Sequence, residues 1–226
     1  ADSFAGHPLI ICPATRQVDR VALEAVAGGA QSLGALHADL AWPVIVRPVG
    51  SHAGKDLEKI DGAEALAAYL ASHPAQAFFV AAFFDYSGAD GLYRKLRVVF
   101  VNGRPFVAHM AVSERWMVHY LNADMGKPDN RREEARMMAT FDQGFAIRHS
   151  AAFEALTQTF GLDYVGIDCA ETQDGRLVLF EADVAMIVHA MDSAELHPYK
   201  KPAMAKLFAG FVDGMTALVE RRRIAA

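Results

Sequence analysis

Apolar positions in the first part of the chain fall into short runs separated by glycine, proline and charged residues. Residues 8–13 form an apolar run that predicts a strand. Between 16 and 27, Val18, Val21, Leu23, Ala25 and Val26 predict a helix stopped by Gly28-Gly29. The run 42–48 predicts a buried strand that empties into a glycine-bearing loop at 49–55. Asp61 as N-cap, with Glu64 in capping-box position, predicts a helix closed at His73-Pro74. A second apolar strand is expected over 77–84, so the order begins strand, helix, strand, helix, strand.

Beyond the turn residues 87–91 the pattern changes to hairpins, and a second lobe is expected to begin there, dividing the chain into 1–87 and 88–226. Residues 92–101 and 104–112 flank Asn102-Gly103, a strong signal for a two-residue turn. Helices are expected over 131–141 and 150–160, the second with Ser150 as N-cap and Gly161 past its end. Strands over 163–171 and 176–183 surround Asp174-Gly175. A long amphipathic helix is expected over 201–222, with Pro202 in its first turn and Leu207, Phe208, Phe211, Met215 and Leu218 facing inward.

With 226 residues and 53% hydrophobic composition, the chain has ample apolar surface for a core. A net charge of −5 and a pI near 6.0, without a long basic run, argue against nucleic acid as a partner. Cys12 and Cys169 form no CxxC pattern, so neither a disulfide framework nor a thiolate metal site is expected, and a cytoplasmic setting follows. Neither a signal sequence nor a membrane span is expected. The chain starts without Met and enters structure at once, from which upstream domains in a longer protein are expected.

If Asp174 and Gly175 are the two central residues of a type I′ turn, Asp168 lies directly across from Glu181. Alternation then puts Asp183 on the same face, opposite Gly166, which has no side chain to crowd it. Val165, Ile167, Cys169, Val178 and Phe180 would occupy the opposite face. Carboxylates aligned across a ladder repel unless something neutralises them, and a hard cation with oxygen ligands does so. Solvent-exposed acids on an open sheet face fit the same pattern, and a third residue in the loop would shift the register and dissolve the alignment.

The same reasoning around Asn102-Gly103 puts Lys95 and Arg97 on one face, with Met110 and Ala108 across from them. Two neighbouring cations suit a bridging anion, and the planar fork of Arg suits phosphate oxygens, although a solvated or salt-bridged edge reads equally well. The loop Gly50-Ser51-His52-Ala53-Gly54-Lys55 offers backbone N–H groups and a hydroxyl but not the Walker A spacing. Arg47, at the end of an apolar strand, needs a partner.

On these residues the chain resembles the ATP-grasp superfamily over about 8–192, and looks most like the branch of ribosomal-protein glutamate ligases and peptide-tailoring ligases. The family's strand ending in Lys-Pro before a Gly-rich flap is approximated by Val44-Ile45-Val46-Arg47-Pro48 and then Ser51-His52-Ala53-Gly54. Its adenine-contacting linker is similar to residues 79–85, and its Arg-bearing strand to Lys95-Leu96-Arg97. The late Asp followed by Glu-x-Asn becomes Asp168 and then Glu181-Ala182-Asp183. Arg47 stands where the family has Lys, Asp183 where it has Asn, and the preceding pre-ATP-grasp lobe is expected to be absent.

The resemblance implies an α+β fold of two lobes with a nucleotide site between them. It implies ATP contacts from Arg47, Ser51, His52, Gly54, Phe83, Phe84, Asp85, Lys95 and Arg97, and Mg²⁺, or Mn²⁺ in its place, on Asp168, Glu181 and Asp183. Arg97 would also be catalytic. The implied reaction joins a small-molecule or peptide carboxylate to an amine or other nucleophile through an acyl phosphate. A non-catalytic nucleotide-binding module and a small-molecule kinase are the alternatives. His109, Ser113, Trp116, His119 and Tyr120 are read as packing or as acceptor contacts, and His189 and Asp192 as metal-site neighbours or surface caps. Cys169 is read as a core thiol, Arg131-Arg132-Glu133-Glu134 as a solvated helix start, and Arg221-Arg222-Arg223 as charge favouring a helix C-terminus.

Overall fold

The computed structural model describes residues 2–52 and 54–225; Ala53 of the expected flap lies outside the described residues. The chain divides into two compact units, one of Ala1–Gly6 and Cys12–Asp85, the other of His7–Ile11 and Tyr86–Ala226. Both combine helices and strands, so the fold class is α+β.

The first unit's sheet is built from β2 (Thr15–Asp19), β3 (Val44–Pro48), β4 (Glu58–Ile60) and β5 (Ala77–Ala82), in the order β2-β5-β3-β4; β1 (Ile10–Ile11) belongs to the second unit. Every neighbouring pair in this sheet is antiparallel. Helices α1 (Arg20–Ala27) and α3 (Ala63–Ser72) pack on each other, and the short α2 (Leu33–Leu36) lies between them in sequence. Leu23, Val26, Val44, Val46, Leu66, Phe78 and Val80 form the centre of the core.

Two expectations change here, and one strand was not expected. Residues 15–19 are a strand, because pairing with β5 turns Val18 inward, and the helix begins only at Arg20. Val21 is consequently exposed. Asp61 does not cap α3: the N-cap is Gly62, and the Asp61 carboxylate pairs with Lys59 at 3.2 Å. The strand β4 is too short and polar to announce itself and exists by pairing with β3.

In the second unit β6 (Tyr93–Val101), β7 (Arg104–Ser113), β8 (Tyr164–Glu171) and β9 (Leu177–Asp183) form a sheet ordered β1-β9-β8-β6-β7, with β1 parallel to β9 at the edge and the rest antiparallel. The expected N-terminal strand is therefore only two residues long and serves the later sheet. Helices α4 (Pro128–Thr140), α5 (Phe145–Arg148), α6 (Ser150–Phe160) and α7 (Lys200–Ala225) accompany this sheet. Phe153 of α6 packs edge-on against Phe100 of β6 at 5.1 Å.

Helix α6 starts at Ser150 as its first residue, with His149 as the N-cap and no side-chain cap. Left-handed Gly161 (φ +61°) ends it. Helix α4 begins three residues earlier than expected, with Pro128 in its first turn. Helix α7 lies over one half of the sheet, where Gly214 meets Val101 and Gly210 meets Phe106. Leu207 is buried, but Phe208 and Phe211 are largely exposed rather than inward, and the Phe211 ring rests on Tyr164 at 5.5 Å. The stretch Lys200–Arg221 of α7, at a mean hydropathy of 1.2, passes a test of length and composition for a membrane span, a test that the core helix of a soluble protein passes as well.

The Phe106 ring occupies the space where a side chain at Gly210 would begin. Replacing Gly210 with Ala forces that ring to turn within a packed face, which typically costs about 1–3 kcal/mol. Denaturant unfolding of Gly210→Ala is expected to show a lower midpoint at an unchanged slope.

Candidate functional site

The two hairpins of the second unit meet in the middle of the sheet. In the first, Asn102 (φ +48°) and Gly103 (φ +77°) are the two left-handed residues that a type I′ turn requires. Val101 pairs with Arg104, and the ladder is regular as far as Val98 opposite Val107. There β7 carries one extra residue, Ala108, so Arg97 faces His109 and Lys95 faces Ala111. The expected partners, Ala108 and Met110, are each displaced by one position.

In the second hairpin the turn differs from expectation. Thr172 N–H donates to the Arg176 carbonyl at 2.9 Å and Gly175 N–H to the Thr172 carbonyl at 3.0 Å, so the loop is the three residues Gln173-Asp174-Gly175. A three-residue loop shifts the register by one, and Cys169 accordingly faces Leu179. A bulge at Phe180 then restores the lost residue: Asp168 faces Glu181 and Gly166 faces Asp183. The acidic alignment thus exists by compensation between loop and bulge. Phe180, expected in the core, is 38% exposed and packs against Tyr86 at 4.8 Å.

Strand β8 pairs with β6 without a bulge, placing Asp168 directly across from Arg97. One row therefore crosses four strands: Glu181, Asp168, Arg97, His109. Both outer strands of the row are bulged beside it, a device that re-aims side chains near functional sites.

Asp168 is 2% exposed, so its charge needs compensation. Arg97 Nε donates to Oδ1 at 2.8 Å and Nη2 to Oδ2 at 3.1 Å, while Lys95 Nζ donates to Oδ2 at 3.0 Å. Burial pushes the carboxyl pKa up, but the Arg97 hydrogen bonds and the charges of Lys95 and Arg97 outweigh it and hold it at about 2. The third donor of Arg97, Nη1, reaches the Ile187 carbonyl at 2.9 Å.

His109 is held neutral, its pKa driven down to about 3 by burial and by Arg97 and Lys200. Its ring lies 4.7 Å from Tyr120, which opens onto a second polar cluster. Glu134 of α4 is fully buried and accepts from Met110 N–H at 3.2 Å and from the Tyr199 hydroxyl at 2.6 Å. Tyr120 also donates to Glu134, and Lys200 pairs with both Glu134 at 3.4 Å and Asp192 at 3.2 Å. Glu134 is therefore no part of a solvated helix start. Its signal in the sequence was only an acid among basic neighbours, since its partners come from three distant segments.

The three carboxylates share a face but do not converge. Among the described residues no three Asp, Glu, His or Cys side chains gather to hold a metal. Asp168 is turned to its cations, and Asp183 Oδ1 accepts from Ala185 N–H at 2.9 Å. The expected open space at Gly166 is filled by Met186, whose Sδ would lie 3.0 Å from an added Cβ. Lys95 and Arg97 of the chain itself neutralise Asp168, the buried acid of the ladder.

In the first unit, Arg47 stacks on Phe79, its cross-strand neighbour, at 4.6 Å and donates from Nη1 to the Ser51 carbonyl at 2.8 Å. Its expected need for a partner is met by the neighbouring strand and by the loop that follows its own. The Ser51 hydroxyl oxygen is buried without a hydrogen-bond partner among the described residues. His52 is exposed, and Gly50 and Gly54 are left-handed (φ +86° and +73°), as a tight loop requires. Phe83 donates its N–H to the Pro43 carbonyl at 3.2 Å and lies under Lys59 at 4.6 Å; Phe84 is half-buried and Asp85 exposed.

The remaining candidates play local parts. Ser113 accepts from Arg115 N–H, the Trp116 carbonyl accepts from the Tyr86 hydroxyl, and His119 N–H donates to Asn122. His189 Nδ1 accepts from Met191 N–H, while Asp192 joins Lys200. Cys169 is fully buried, its thiol pKa pushed up by burial, and both cysteines are free.

No protein-family model and no curated protein matches the chain. Among solved structures it is similar to a RimK domain protein ATP-grasp from Sphaerobacter thermophilus DSM 20745, with 17% identity over 89% of this chain and a TM-score of 0.44. It is also similar to an L-amino acid ligase from Bacillus licheniformis, with 12% identity over 87% of this chain and a TM-score of 0.43. A D-alanine–D-alanine ligase from Bacillus anthracis has 10% identity over 98% of this chain and a TM-score of 0.47. The chain spans 62%, 41% and 66% of the lengths of these three.

The Asp168 pKa lies below that of an unfolded aspartate, so the stability this group contributes is present above about pH 4 and is lost as pH falls toward 2. The difference corresponds to about 2 kcal/mol. Chemical denaturation across pH 5 to 2 is expected to show this loss, and Asp168→Asn is expected to flatten that part of the profile while costing about 3–5 kcal/mol at neutral pH.

Proposed function

We propose that this chain binds ATP with Mg²⁺ and activates a carboxylate for capture by an amine or another nucleophile. The observation that carries the reading is the charge arrangement of the row and its neighbours. Two cations are clamped on one buried acid, and two exposed acids, Glu181 and Asp183, stand on the same face. Among the described residues the Lys95 ammonium donates to Asp168 alone, so it keeps N–H groups for phosphate oxygens. The residue-by-residue resemblance to ATP-grasp proteins supports the same reading.

Mg²⁺ suits Glu181 and Asp183, because it is commonly held by one or two carboxylates together with substrate phosphates and several waters. Bound there, it would supply neutralisation of charge on the phosphate oxygens. In the reaction proposed, an oxygen of the substrate carboxylate attacks the γ-phosphorus of ATP, the bond to the β–γ bridging oxygen breaks, and ADP leaves. The acyl phosphate is then attacked by the amine, which expels phosphate and loses a proton. Lys95 and Arg97 would hold the phosphate oxygens in place and oppose the charge that develops on them. Arg47, Ser51, His52, Gly54, Phe83, Phe84 and Asp85 are proposed nucleotide contacts of the first unit. A non-catalytic nucleotide-binding module is the second reading, favoured by Arg47 being engaged by Phe79 and the Ser51 carbonyl.

Calorimetry with a non-hydrolysable ATP analogue is expected to show binding that strengthens with Mg²⁺. Arg97→Met is expected to weaken it by about 10- to 100-fold, the worth of hydrogen bonds to a charged group. Absence of any Mg²⁺-dependent binding sinks the proposal. Release of ADP and phosphate with an acid and an amine separates the ligase from the binding module.

A further inference from the structure

We infer that Asp168 is a positioning residue for Lys95 and Arg97 rather than a ligand of the metal, an assignment that rests on the nucleotide site proposed above. Its two oxygens already take three charge-assisted hydrogen bonds, two from the Arg97 fork and one from Lys95. The side chain is enclosed, with 3% exposure. Mg²⁺ demands a near-ideal octahedron and keeps much of its water, which an enclosed, cation-bound carboxylate does not accommodate. To accept the metal, Asp168 would have to take a divalent cation beside the two cations already bonded to it, or give up bonds from them, a cost that an exposed carboxylate does not meet.

The arrangement is also written into the ladder. Arg97 and Asp168 are directly opposed on two unbulged strands, and Lys95 follows two residues along on the same face. Among the described residues, three of the five guanidinium N–H groups of Arg97 are engaged, by Asp168 through Nε and Nη2 and by the Ile187 carbonyl through Nη1. That leaves two N–H groups on Arg97 and two on Lys95, held in a fixed orientation by one carboxylate. Such a set fits phosphate oxygens. Asp168 therefore acts on the nucleotide through its cations, and the metal falls to Glu181 and Asp183.

The test compares ATP affinity in Mn²⁺ with ATP affinity in EDTA, by calorimetry on the full chain. Asp168→Asn is expected to weaken ATP binding about tenfold or more in both conditions, leaving the ratio of the two affinities within about twofold of wild type. Glu181→Gln combined with Asp183→Asn is expected to do the reverse, preserving the EDTA affinity and lowering the ratio about tenfold. An Asp168→Asn protein that keeps its EDTA affinity but loses the Mn²⁺ enhancement overturns the inference alone. Should Asp168→Asn fail to fold, the double variant decides: an undiminished Mn²⁺ ratio with Asp168 as the remaining carboxylate overturns the inference, and a lowered ratio supports it. Wild-type protein that binds no ATP in either condition overturns the proposed function and this inference together.

Discussion

The second unit depends on one buried carboxylate. Asp168 sits on a central strand where an isolated charge would be costly, and the sheet tolerates it because Arg97 and Lys95 meet it with three hydrogen bonds. This interaction differs in kind from the exposed pair of Lys127 and Glu114, which contributes little in water. Breaking the buried cluster strands two cations as well as one anion. The same guanidinium also holds the Ile187 carbonyl, so the chain beyond β9 is tied to the cluster.

What flanks that cluster in the row comes from register, and register there from two bulges. Ala108 on β7 brings His109 opposite Arg97, and Phe180 on β9 brings Glu181 opposite Asp168. Without the second bulge the three-residue loop at 173–175 would carry Glu181 and Asp183 to the other face. The two intervening strands run straight, which lets cation and anion face each other across a regular ladder. A neutral His109 next to Arg97 completes the row without adding a third positive charge.

A second buried cluster, around Glu134, joins α4, the start of α7 and the turn at Tyr120–Asn122. Nothing local marks it. Glu134 lies in a run of charges that reads as a solvated helix start, and Lys200, Tyr120 and Tyr199 are remote in sequence. Glu171 is comparable: burial raises its pKa, but His149 and Arg148 bring it down to about 2, again through partners from another element. Long-range partners decide whether a charged residue is surface or core, and a single sequence does not pair them.

The sequence by itself determined the hairpins, the helix at Ser150–Phe160 and the grouping of Lys95 with Arg97, because turn residues and apolar periodicity act over a few neighbouring positions. It also aligned Asp168 with Glu181, although through a two-residue turn that the chain does not form. Tertiary structure alone decided what balances Asp168. It sent residues 10–11 into the later sheet, turned 15–19 into a strand, exposed Phe180 and set Asp168 against two cations. Each of these outcomes depends on which strand lies alongside, since a strand's unpaired backbone groups and a buried charge are satisfied only by partners that the fold brings to them.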